Sequence, residues 1–179
     1  MDSRKILSFK RRRLGLTDYK KRISLLKSGK LRLVVRKTNK RIITQIIKFN
    51  LKGDEVLLEV TSDELSEHGW KHSFKNLPAS YLTGFLIGKK ALDNDLNEVI
   101  VDLGRERITN GGRVFAVLKG AADAGLNFPY SDDKFPSEDR IKGKHIEEYF
   151  KNNKENFSNK DVKNITDDYE KVLKKLKKL

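Results

Sequence analysis

The chain has 179 residues, no cysteine, and 39 Lys and Arg against 25 Asp and Glu, for a formal net charge of +14. At that length it can bury one sizeable core, and the lack of cysteine excludes disulfides, thiol nucleophiles and thiolate zinc sites and suits a reducing interior. No run approaches the ~20 apolar residues of a membrane span, and no apolar stretch follows the basic N-terminus as a secretory signal would require, so no membrane partner is expected.

The charge is unevenly placed. Residues 1–41 hold 16 of the basic and 2 of the acidic residues, so they carry the whole +14, and residues 42–179 balance to zero. A neutral body behind a basic arm is suited to a polyanion.

Residues 1–30 read as a basic arm with a short helix. Arg4, Lys5, Lys10, Arg11, Arg12 and Arg13 lead to Thr17 and Asp18, either of which can cap a helix. Tyr19, Ile23 and Leu26 would share one face of that helix, and Gly29 would end it. Alternation predicts a strand over Leu31–Lys37, with Leu31, Leu33 and Val35 on one face and Arg32, Val34 and Arg36 on the other. Strands over Arg41–Asn50 and Glu55–Thr61 follow, the last with Val56, Leu58 and Val60 on one face. Short turns make the three an antiparallel meander. Its outer face would present Arg32, Arg36, Thr44 and Lys48.

Residues 62–76 read as an irregular loop in which Trp70 anchors to the body. A helix starts near Asn76 and Pro78 and runs to about Leu92, with Leu82, Phe85 and Leu86 directed inward. Gly84 and Gly88, four apart, predict close approach of a neighbouring backbone. Glu98–Leu103 is a short apolar strand suited to parallel pairing through a helical crossover. A polar loop, Arg105–Gly112, leads to a second helix, Arg113–Ala124, with Val114, Val117, Leu118 and Ala121 inward and Gly125 at its end. Residues 127–129 would add an edge strand. Residues 31–130 therefore form an α/β core domain.

Residues 131–179 read as a C-terminal extension: a short helix, an Asn-rich linker over 151–159, and an amphipathic helix over 161–179. Its stripe of Val162, Ile165, Tyr169, Val172, Leu173 and Leu176 needs a surface to cover, either a partner particle or the protein's own sheet.

Several patterns bear on chemistry. Arg clusters interleaved with Phe9 and Tyr19 suit RNA, because guanidinium groups fork onto phosphates and stack on bases. A solvated tail or a localisation signal would look similar. The charge continues into Arg32, Arg36, Lys37, Lys40 and Arg41, which places part of it on a folded surface. Gly104, Gly111 and Gly112 sit between a strand and a helix, but their spacing matches no nucleotide-binding fingerprint, so no cofactor is expected. A contact from Gly112 or Arg113 to an RNA phosphate fits that position. His68, His72 and His145 do not combine into a metal site. A two-metal nuclease needs several converging carboxylates. Only Glu59 and Asp102 offer themselves on strands, and the first strand has Arg36 and Lys37 instead of an acid, so no catalytic centre is expected.

Taken in order, several stretches carry a family resemblance. They are Arg11-Arg12-Arg13 with Thr17-Asp18-Tyr19, Leu25-Leu26-Lys27-Ser28-Gly29, Arg32-Leu33-Val34-Val35-Arg36-Lys37-Thr38-Asn39, Gly69-Trp70 and Tyr81-Leu82-Thr83-Gly84. Val114-Phe115-Ala116, Gly120-Ala121, Asp123-Ala124-Gly125-Leu126, Pro136-Ser137 and Arg140-Ile141-Lys142-Gly143-Lys144-His145-Ile146 complete the set. The chain resembles the archaeal and eukaryotic branch of large-subunit ribosomal protein L-eighteen.

The resemblance implies an α/β, ribonuclease-H-like mixed sheet without the catalytic carboxylates. It implies a structural protein of cytoplasmic ribosomes with no small-molecule substrate. That protein would bind 5S rRNA and dock it onto 23S rRNA in the central protuberance, beside neighbouring large-subunit proteins. Carried onto this chain, the contacts fall on Arg11–Arg13, on Thr17, Tyr19, Lys20, Lys21 and Arg22, on Arg36, Lys37, Asn39, Lys40 and Arg41, and on Gly112 and Arg113. Phosphates would take the Arg and Lys contacts, and Tyr19 and Asn39 would pack on ribose or bases. The rival readings are a metal-dependent ribonuclease of the same fold and a non-ribosomal basic nucleic-acid-binding protein.

Overall fold

A computed structural model describes residues 7–153 and 164–179. Strands β1 (Leu31–Lys37), β2 (Ile42–Lys48), β3 (Glu55–Thr61) and β4 (Val99–Asp102) form one sheet in the order β3-β2-β1-β4. β1–β2 and β2–β3 pair antiparallel, and β4 runs parallel to β1. The expected meander and parallel strand are both present. The edge strand expected over 127–129 reduces to one bridge between Glu98 and Asn127.

Helices α1 (Lys10–Arg13) and α2 (Tyr19–Leu26) precede the sheet. The parallel connection is made through α3 (Leu77–Asp93), and α4 (Arg113–Asp123) follows β4. α3 begins where it does because the Asn76 side chain accepts from Ala79 N at 2.9 Å and Pro78 occupies the first turn. Both helices pack with Leu33, Val35, Ile42, Ile46 and Val60 of the sheet in one core.

The two helices meet almost backbone to backbone. A Cβ placed at Gly84 would lie 1.9 Å from Val117 O, and one at Gly120 would lie 2.1 Å from Tyr81 O. The small residues thus permit the crossing from both sides.

Two face assignments differ from the sequence reading. Thr44, expected outside, is fully buried beside Ile42 and Ile46, because it pairs with Val35 and its hydroxyl donates to Val60 O at 2.8 Å. On β3 the register slips, so that Ile46 pairs with Leu58 but Ile47 pairs with Val56. The extra residue at this bulge breaks the alternation. Val60 stays in the core while Val56 is left 47% exposed.

The C-terminal part forms α5 (Glu138–Lys142), α6 (Lys144–Asn152) and α7 (Ile165–Leu176). Ile165, Tyr169, Val172 and Leu176 of α7 belong to the same core as Trp70 and Tyr81. The Tyr81 and Tyr169 rings lie 5.8 Å apart, and His72 Nε2 is 3.1 Å from Asp168 Oδ2. Lys175 Nζ donates to His68 O at 3.1 Å, and Thr166 N donates to Glu147 Oε1 at 2.8 Å. The amphipathic stripe is therefore covered by this chain's own α3, α5 and α6. Val162 and most of the Asn-rich linker lie outside the described residues.

Candidate nucleic-acid interface

α2 is capped by Asp18, whose carboxylate accepts from Lys20 N and Lys21 N, both at 3.1 Å. α1 is tied to it by the Phe9 and Tyr19 rings, 5.3 Å apart, and by Arg11 Nε donating to Thr17 Oγ1 at 2.9 Å. Neither helix buries a residue.

The apolar face expected of α2 does not face the sheet, and Ile23 is 55% exposed. Asp18, Lys21, Arg22 and Leu25 line the groove between α2 and the outer sheet face instead. Polar bonds decide this orientation. Arg22 Nη2 donates to Asp54 Oδ1 at 2.8 Å, and Lys21 Nζ donates to Gly104 O at 3.2 Å.

Those bonds continue inward. Arg32, expected on an open surface, is 2% exposed. Its Nη1 donates to Asp102 Oδ2 at 2.9 Å and its Nη2 to Asp54 Oδ2 at 2.7 Å. A buried guanidinium requires such partners, and they withdraw Arg32 from any external anion. Arg36 is partly open, with Nη1 donating to Asp102 O at 2.9 Å.

Burial works against the Asp54 charge, but the hydrogen bonds and fields of Arg22 and Arg32 outweigh it and hold this carboxyl below its ordinary value of 3.8. A depressed folded value stabilises the protein above the unfolded pKa and loses that contribution as pH falls through the folded value. We therefore expect Asp54→Asn to lower the denaturation midpoint at pH 6. The gap to wild type should close below about pH 3.8. A gap that stays constant with pH would show that the charge contributes nothing.

The remaining sequence-predicted residues fall into two groups. Lys37 is engaged, its Nζ 3.1 Å from Arg107 O and 3.2 Å from Glu106 Oε2, and Arg41 pairs with Asp63 at 2.6 Å. Arg113 Nη1 donates to Lys75 O at 3.3 Å beside Gly112, which caps α4. Lys10, Arg12, Arg13, Lys20, Asn39 and Lys40 are exposed, and among the described residues their side chains hold no hydrogen bond or ion pair. Arg4 and Lys5 lie outside the described residues.

Sequence reasoning missed Asp54, the acceptor that docks α2, and also Arg105, Arg107 and Arg140. Arg105 lines the α2 groove with Arg11, while Arg107 and Arg140 line a second groove with Lys37, Gly112 and Arg113. The polar composition of Arg105–Gly112 was the available signal, but it does not say which way those side chains point.

Asp102 and Glu59 do not combine into a carboxylate cluster. Asp102 holds Arg32, Glu59 accepts from the Gln45 amide, and the described residues contain no group of three potential metal ligands.

Known proteins match this chain over most of its length. The family model described as "Ribosomal large subunit proteins 60S L5, and 50S L18" matches residues 3–99 and 93–131. A "Large ribosomal subunit protein uL18" of Korarchaeum cryptofilum is 51% identical over 140 residues, covering 78% of this chain and 72% of the relative. The protein of the same name from Methanoculleus marisnigri is 49% identical over 146 residues, covering 82% of this chain and 83% of the relative. That from Methanothermobacter thermautotrophicus is 47% identical over 143 residues, covering 80% and 74%. With a basic arm laid on a neutral α/β body and half-identical relatives along most of its length, the chain belongs to the L18 and L5 family of large-subunit ribosomal proteins.

Proposed function

We propose that this protein is a structural constituent of the large ribosomal subunit in the cytoplasm. It binds 5S rRNA and docks it onto 23S rRNA in the central protuberance, beside neighbouring ribosomal proteins. The observation that carries this reading is the sorting of the arm's charges. Arg22 and Arg32 anchor inward on Asp54, while Arg12, Arg13 and Lys20 remain exposed and unpaired among the described residues. Such cations gain most by displacing the counterions of a nucleic-acid backbone. Tyr19, held against Phe9, and Asn39, exposed at the β1–β2 turn, would pack on ribose or bases. Recognition is mainly of shape, since folded RNA exposes phosphates and 2′-hydroxyls more readily than paired base edges. The sheet order β3-β2-β1-β4 is compatible with a ribonuclease-H-like descent.

Replacing Arg11, Arg12 and Arg13 with Ala should weaken 5S rRNA binding. It should also flatten the salt dependence by roughly 0.7–0.9 log-log units for each phosphate that the arm ceases to neutralise. The melting temperature should stay put, because α1 buries nothing. Unchanged affinity across a salt titration sinks this assignment.

The ribonuclease reading fares worse on the same observations, since Asp102 already neutralises a buried guanidinium. Incubation with RNA and RNA–DNA hybrids in Mg²⁺ or Mn²⁺ should yield no cleavage. Cleavage abolished by Asp102→Asn in a variant that still folds would restore the enzyme reading.

A further inference from the structure

We propose that the groove at the start of α4 is a second seat for the RNA backbone, with Lys37, Arg107, Arg113 and Arg140 as its phosphate-binding side chains. This rests on the RNA-binding reading above and adds Arg107 and Arg140 to it. The four cations come from β1, the loop after β4, the first turn of α4 and α5, yet they line one groove of about 230 Å³. Every charged residue lining that groove is cationic. The grooves against α2 contain Asp18, and the one between α2 and the sheet also Asp54 and Asp102.

Two of the four cations are partly satisfied. Lys37 Nζ sits 3.2 Å from Glu106 Oε2 and Arg113 Nη1 donates to Lys75 O at 3.3 Å. The Arg107 and Arg140 guanidiniums have neither a hydrogen bond nor an ion pair among the described residues. Like charges gathered in one concavity repel, and an anion placed between them removes that cost. Burial first, and then the Arg140 charge, push His145 below its ordinary value, against the opposing Glu148 carboxylate. The groove floor adds a polar contribution, since no side chain caps α4 at Gly112.

The geometry favours a polymer over a lone anion. The loop that carries Arg107 also carries Gly104, which accepts from Lys21 of α2, and Arg105, which lines the arm's groove beside Arg11. The loop thus links the arm's groove to the groove at α4, with Arg105 lining the first and Arg107 the second, which suits more than one phosphate of a strand.

The test uses the full chain, a 5S rRNA transcript, and the double variant Arg107→Ala/Arg140→Ala. The expected result is a log-log salt slope lower by about one to two units, at an unchanged melting temperature. Hydroxyl-radical protection should disappear from a backbone stretch that the Arg11/Arg12/Arg13 variant still protects. Arg107→Lys/Arg140→Lys should restore most of the slope. If wild type binds the transcript and the double Ala variant keeps both slope and footprint, the proposal is overturned. If wild type itself binds no rRNA, the function proposed above fails first. A parallel titration with inorganic phosphate follows the Gly112 and Arg113 amides by NMR. Saturable phosphate binding there, with an RNA footprint indifferent to the variant, would make this a free-anion site and overturn the proposal.

Discussion

Gly84→Leu should lower the stability of this protein by on the order of 4–5 kcal/mol, beyond the usual cost of overpacking. The first added carbon alone would sit 1.9 Å from Val117 O and 2.8 Å from Val117 Cα. Those are backbone atoms, so no rotamer change relieves the clash, and α3 and α4 must move apart. A Cβ at Gly120 would meet the Tyr81 carbonyl in the same way, at 2.1 Å, so separation also opens the packing around Tyr81 and Phe85. Even Gly84→Ala should be severe. Gly29→Ala is a useful contrast, because nothing lies within 4 Å of its Cβ and only its positive φ of 66° opposes the change. That variant should be destabilised by about 1 kcal/mol. Urea denaturation of the three variants checks the order. A wild-type midpoint for Gly84→Leu would mean the helices do not cross there.

A chain ending at Phe150 should fail to hold its native fold. The truncation removes Ile165, Tyr169, Val172 and Leu176, which are 0–4% exposed in the intact protein. Each such side chain contributes about 1.5–3 kcal/mol by burial, so the four together rival the roughly 5–15 kcal/mol by which domains are stable. The truncation also uncovers Trp70 and Tyr81, and it leaves buried His72 without the Asp168 carboxylate 3.1 Å away. Far-UV circular dichroism and a melt of the shortened chain decide the matter. A cooperative transition near the wild-type temperature would show that α7 is an appendage, free to serve another surface.

Truncation separates two readings that sequence left equal. An amphipathic stripe states that a surface must be covered but not whose surface it is. The periodicity of Ile165, Tyr169, Val172 and Leu176 was legible. The pairs that decide the docking, Asp168 with His72 and His68 O with Lys175, lie 96 and 107 residues apart in the chain.

The interface divides in a similar way. Basic residues of the arm were visible as charge. That Arg32 turns inward while Arg12 and Arg13 stay outside depends on Asp54 and Asp102, which arrive from the β2–β3 turn and from the end of β4. Alternation had correctly put Arg32 on the face away from Leu33 and Val35. It could not reveal that α2 and two carboxylates close over that face.

Local pattern was enough for the four strands, the helix starts at Thr17–Asp18 and near Asn76, the inward face of α4, the tolerance for a close crossing at Gly84, and the separation of a charged arm from a neutral body. These follow from period, propensity and capping among residues near each other in the chain. Three-dimensional assembly settled which polar faces were covered, where the bulge at Leu57 shifted the β3 alternation, and that Lys37, Arg107, Arg113 and Arg140 share one groove. Each of those outcomes pairs groups distant along the chain. Their energies come from desolvation and charge pairing, which exist only once the segments have met.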